Sequence, residues 1–271
     1  MADSSPAVPP VASQPAPTPS PAPAPPPRDV QDVGSVLHPS MRAGNWNSKG
    51  SVRVLGDAEA ASATLAGVVS IGGALAAGRL ATQGTLDVFG TTRISDSAEV
   101  DGTTRFHGAV TTRSLRGTGR VEIGGDLSAS TSLEIQGILV VRGNSNIDRL
   151  EFDGTLDLRG PLLASKVVGR LRGASSAASI QAQTVSLRSA RSRRPKIPFL
   201  PPRQEPMLVV ARLEAKEAYL ENVRAERVRV DRLTVGPGCH LTEVIGTVVA
   251  RHKDAHIGPE AEVPLPYGLT P

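Results

Sequence analysis

The 271-residue chain has a single cysteine, Cys239, so it can form no disulfide within itself, and that usage fits a reducing compartment. Aromatic residues are equally scarce, with one Trp, two Tyr and four Phe. A broad globular core is poorly served by so few rings, whereas a thin core of stacked aliphatic side chains has no need of them. No apolar run reaches the ~18 residues that would span a bilayer, and no charged-then-apolar leader opens the sequence. A global charge bias is also missing. Net charge is +4, but six basic residues and no acid lie between Arg188 and Arg203, leaving 24 basic against 26 acidic residues elsewhere. The expectation is a soluble, cytoplasmic chain with a narrow core and one local basic patch.

What the sequence has in abundance is a repeat. From Gly50 to Gly160 one phrase of seven residues, Gly-x-apolar-x-apolar-x-Gly, recurs seven times, with Thr104 the only lapse. Its copies start at Gly50, Gly67, Gly84, Gly102, Gly119, Gly137 and Gly154, so they lie 17 or 18 residues apart. So short and regular a period marks a stacked repeat. Within each phrase the apolar residues alternate, as in a strand with one buried face. That places Val52, Val54, Val69, Ile71, Leu86, Val88, Phe106, Val121, Ile123, Leu139, Val141, Leu156 and Leu158 in the core. The flanking glycines mark corners, where positive φ costs them little. Two further apolar positions recur among the repeats, one represented by Leu75, Val110, Leu127 and Leu162, the other by Leu80, Leu115, Leu133 and Leu150. Three inward groups per repeat predict an all-β, three-sided β-solenoid, whose coils bury their inner faces only by stacking.

The rest of the chain divides around that rod. Residues 1–49 read as a disordered Pro/Ala-rich tail, with eleven prolines between Pro6 and Pro27; Trp46 is a candidate cover for the first coil or a membrane-touching anchor. The solenoid spans 50–188, its last part in looser register. Residues 189–206, with five prolines, read as a basic linker or loop. There Arg188, Arg191, Arg193, Arg194, Lys196 and Arg203 form a candidate patch for an anionic partner, lipid or nucleic acid, or simply keep the loop solvated. Nucleic acid is disfavoured, since Phe199 is the only aromatic in the break. Residues 207–263 contain the helix-favouring run Ala211-Arg-Leu-Glu-Ala-Lys-Glu-Ala218, but Leu213, Ala218, Val223, Val228 and Leu233 recur every five residues. A 3.6-residue helix cannot keep those on one face, so short solenoid strands are expected. Residues 264–271 are a tail.

The phrase Gly-x-Leu-x-Val-x-Gly at this period, between irregular termini, resembles the bactofilins, polymer-forming bacterial cytoskeletal proteins. The segment Tyr219-Leu-Glu-Asn-Val-Arg-Ala-Glu-Arg-Val-Arg-Val230, followed by Val235-Gly-Pro-Gly-Cys239, is similar to the C-terminal part of longer members. The resemblance implies a right-handed β-helix that polymerises end to end without nucleotide. It also implies partners among envelope or cell-shape proteins, and a place at the inner face of the membrane. The long Pro-rich tail, the basic break and the absence of an apolar N-terminal motif depart from that pattern.

Enzymatic alternatives find little support. Eighteen is three sixes, and the hexapeptide-repeat acyltransferases are also three-sided solenoids; Val235-Gly-Pro237 and Ile257-Gly-Pro259 are similar to their turns. Such an enzyme needs a histidine base at a cleft. His107, the only histidine within the phrases, takes an outward place, and the seven-residue glycine spacing breaks a strict hexad. His252-Lys-Asp-Ala-His256 has a metal-ligand spacing for a helix but no helix to carry it. Cys239-His240 stands alone, and Asp87 and Asp157 sit in matching outward positions far apart. No phosphate-loop or calcium-repeat signature occurs. Neither catalytic residue, metal nor cofactor is expected.

Overall fold

The computed structural model describes residues 28–190 and 206–258. In chain order the strands are β1 (Val30–His38), β2 (Met41–Val54), β3 (Ala58–Ile71), β4 (Leu75–Val88), β5 (Thr92–Phe106), β6 (Val110–Ile123), β7 (Leu127–Val141), β8 (Ser145–Leu171), β9 (Ser175–Ser189), β10 (Leu208–Leu220), β11 (Val223–Val235), β12 (His240–Arg251) and β13 (His256–Ile257). All thirteen belong to one sheet whose spatial order is the chain order, and the pairings are parallel. Among the described residues no helix carries a crossover, so sequential parallel strands can pair only if the chain winds. The fold is a β-solenoid.

Each long strand bends around the coil. In β3 the buried residues come as Ala58 and Ala60, then Ala63 and Leu65, then Val69 and Ile71, one pair for each of three inner faces. The thirteen phrase residues expected inside are each no more than 2% exposed. Row by row they stack on their counterparts, as in Val69, Leu86, Thr104, Val121 and Leu139. Coils of 18 residues fit among those of 17 because β5 and β7 absorb one extra residue as a bulge, between Ile94 and Ser97 and between Ala129 and Ser132.

The two glycines of a phrase do different work. The first, from Gly50 to Gly154, has φ between 111° and 158°, and a Cβ on Gly119 would lie 2.2 Å from the Gly102 carbonyl oxygen. The second glycine of each phrase is not at positive φ. It is needed for closeness alone: a Cβ on Gly90 would come within 2.6 Å of the Gly73 carbonyl. The expectation of positive φ at both corners therefore holds for one of them.

The solenoid is longer at both ends than the phrases indicate. Part of the expected 1–49 tail is strand, with β1 lying in register on β2 so that Val30 stacks on Trp46 and Val36 on Val52. Polar side chains occupy inward places here, Asp32 above Ser48, and they hide the apolar rhythm. Residues 1–27 lie outside the described part, as do 259–271 with the expected C-terminal tail. Nor does the rod end at the basic break. Leu208–Leu220 of β10 pairs directly with Ser175–Leu187 of β9, and the chain leaves this corner at Ala190 and returns at Pro206. Two residues of the next coil pin the exit and re-entry. The Glu221 carboxylate accepts the Ser189 N–H at 3.0 Å. Asn222, at φ 51°, donates from Nδ2 to the Ser189 hydroxyl at 3.0 Å and to the Pro206 carbonyl at 3.1 Å. Beyond it the coil from β10 to β11 shortens to 15 residues, Leu208 stacking on Val223, which makes three faces of five and accounts for the five-residue spacing; the next step, to β12, is 15 or 16 residues.

Candidate functional site

A solenoid offers three kinds of surface: two ends and a set of outward rows. At the C-terminal end β12 takes hydrogen bonds from β11 along its length, but β13 covers only His240 and Leu241. Among the described residues, the edge from Thr242 to Arg251 therefore has no strand beyond it. The inward rows run out with it. Val244 follows Val228, and Val248 follows Leu233; Leu233 is fully buried, whereas Val248 is 39% exposed, with Ile245 and Val249 open beside it. An inward apolar place without a next coil is exposed core.

The N-terminal end is built differently. Trp46 lies over Ala63 and so covers the coil that begins at Gly50, but it is itself fully buried beneath β1 and is not the outermost cover. Its indole N–H donates to Asp32 Oδ2 at 2.9 Å, and His38 Nε2 lies 3.1 Å from both oxygens of the same carboxylate. Asp32 is itself buried, so these partners satisfy a charge that would otherwise be costly. The signal was present in the alternation Val30-x-Asp32-x-Gly34-x-Val36-x-His38, but its polar members do not read as core. β1 still presents an outer edge with no described strand on it.

The residues singled out for chemistry are dispersed. His107 is exposed and stacks flat on Phe89, ring centres 4.5 Å apart. Asp87 stacks between Ser70 and Arg105, while Asp157 accepts from the Ser176 hydroxyl at 2.6 Å, so the two carboxylates do not meet. His252 and His256 part company. His252 Nδ1 accepts the Asp254 N–H at 3.2 Å, and His256 sits 6.4 Å from the His240 ring. Among the described residues no three His, Cys, Asp or Glu converge as a metal site. The Cys239 thiol is buried and donates to the Leu220 carbonyl at 3.2 Å; burial raises its pKa to about 11. Arg188 is exposed, its guanidinium carbon 5.6 Å from the centre of the Tyr219 ring. The other five patch residues, Arg191, Arg193, Arg194, Lys196 and Arg203, lie outside the described part.

Outward rows carry ion pairs from coil to coil, including Arg79 with Asp96, Asp96 with Arg113, and Arg116 with Glu134. Burial pushes the Glu122 carboxyl up, but Arg120 and Arg105 outweigh it and hold the group below its ordinary range. A hydrogen bond from Arg172 does the same for Asp153. Two open troughs follow the coils, one lined in part by Gln83, Glu99, Asp101 and Arg116, the other by Glu134, Glu151, Asp153 and Arg188. Neither is lined by a histidine. Among the described residues no helix is long and apolar enough to cross a membrane. No protein-family model, no curated protein and no solved structure matches this chain.

Proposed function

We propose that the chain is a non-enzymatic structural protein of bactofilin type, whose rods join end to end into nucleotide-independent filaments supporting cell shape or envelope organisation. The observation that carries the reading is the open C-terminal coil, where the Leu213–Val228–Val244 and Ala218–Leu233–Val248 rows reach the surface beside an unpaired strand edge. Such an edge is a template for another strand, and apolar burial adds to the pairing. At the other end β1 offers the complementary feature, an edge with no strand on it among the described residues, with Val30 and Val36 half-buried on its inner side. A head-to-tail join continues the parallel ladder, and a like-to-like join pairs two edges antiparallel. Both satisfy the same backbone groups, and neither needs a nucleotide.

Negative-stain microscopy of the purified chain, without nucleotide or metal, tests this. Filaments are expected from the full chain and from a version lacking residues 1–27. Val248→Glu places a charge in the open row and should abolish filaments, leaving at most pairs of rods, with an unchanged melting transition, since Val248 is already partly exposed. Uniform small particles from the parent across a concentration series would overturn the reading in favour of an adaptor that binds partners through its tail or basic loop.

A further inference from the structure

One corner of the coil carries an unusual row. Backbone bonds from Leu55 to His38, Gly72 to Val54, Phe89 to Ile71, His107 to Val88, Gly124 to Phe106 and Arg142 to Ile123 place those six donors at equivalent positions in successive coils. Read along the rod, the row runs Leu55, no side chain, Phe89, His107, no side chain, Arg142. Leu55 and Phe89 are 55% and 54% exposed, large apolar groups held out into water. The gaps are fixed, since a Cβ on Gly72 would meet the Leu55 oxygen at 2.3 Å and one on Gly124 the His107 oxygen at 2.5 Å. The row is a ridge with two notches.

We propose that this ridge is a lateral interface on which a second copy of the chain packs antiparallel, about a two-fold axis through Phe89. In that register the pattern is complementary to itself. Each Phe89 meets its counterpart on the axis, each His107 enters the notch at the other chain's Gly72, and each Leu55 enters the notch at Gly124. Moving the axis to between Phe89 and His107 sets one notch against the other and Leu55 against Arg142. Parallel packing would face Arg142 with itself.

The neighbouring outward row provides an independent check. It reads Leu37, Arg53, Ser70, Asp87, Arg105, Glu122, Val140 through successive coils. The same axis sets Leu37 against Val140 and Arg53 against Glu122, an apolar pair and an opposite-charge pair. Leu37 is 62% exposed within one chain and would be covered in the pair. Asp87 meets its counterpart on the axis, and each carboxylate has its own chain's Arg105 on one side and the other chain's Arg105 on the other. A charge-complementary, notched ridge selects orientation as well as contact.

The test is a cross-link read on a denaturing gel, using the full chain and a short bis-maleimide. Phe89→Cys brings two thiols together on the axis, while Cys239, buried with its pKa raised to about 11, leaves the parent unlinked. In the control Arg142→Cys the two thiols lie six coils apart, roughly 29 Å at the ~4.8 Å strand spacing. Phe89→Cys should give roughly tenfold more covalent dimer than Arg142→Cys, because paired thiols react at an effective concentration near millimolar. A monomeric Phe89→Cys product overturns the proposal, as does equal linking of both variants or capture of a partner of different sequence. End joining brings neither position to its counterpart, so this result stands or falls apart from the filament.

Discussion

Thr104 is the residue at which the repeat lapses, and the fold keeps it inside. It is 1% exposed, stacked between Leu86 and Val121, and its hydroxyl has no hydrogen-bond partner among the described residues. A buried hydroxyl without a partner forfeits its hydration for nothing, which costs about 1–3 kcal/mol in mutational series. Thr104→Val keeps the shape and the β-branch and removes the orphan. It should stabilise the chain by about 1 kcal/mol, seen as a higher denaturant midpoint with an unchanged slope. A lower midpoint would mean that the hydroxyl is satisfied after all. Ser48, Thr82, Thr92 and Ser145 share the condition, so the inner rows tolerate scattered polar groups. Asp32 is the opposite case, a buried charge whose oxygens are all engaged.

At the scale of the coil, the corner sets the limits. Gly119 combines φ of 112° with a Cβ position 2.2 Å from the carbonyl oxygen of the coil below. Gly119→Ala should therefore cost about 3 kcal/mol or more, the sum of left-handed strain and a backbone that must move. Denaturant melting checks it, and a loss below about 1 kcal/mol would mean that the corner is soft. The same corners explain what could be read beforehand. Where both glycines and alternating aliphatics coincide, from Gly50 to Gly160, the strands and their inward residues follow from the pattern. Where inward places hold Asp32, Ser48 or His38, the pattern vanishes although the strand persists. In β10 and β11 charged outward residues imitate a helix by propensity, and only the five-residue spacing of Leu213, Ala218 and Val223 betrays the shorter coil. The ends and the notched ridge were illegible for another reason. A period describes what every coil shares, whereas these surfaces depend on where stacking stops and where Leu55, Phe89 and His107 break the rule.

For the molecule as a whole, stability is distributed along the rod, each coil touching chiefly its two neighbours. A segment leaving at a corner should then have little energetic reach. Excising residues 191–205 and closing Ala190 to Pro206 with a short Gly-Ser bridge should change unfolding free energy by about 1 kcal/mol or less, because loop closure depends only on the logarithm of length. Calorimetry of the excised chain checks this; a large loss would show that the segment packs on the rod. The clasp formed by Glu221 and Asn222 carries a wider implication. It holds both ends of the excursion to the next coil whatever lies between them, so this corner works as a socket. A foreign domain grafted there would be displayed at a fixed height on the rod, and wherever rods were joined in series it would recur with the rod's own length as its spacing.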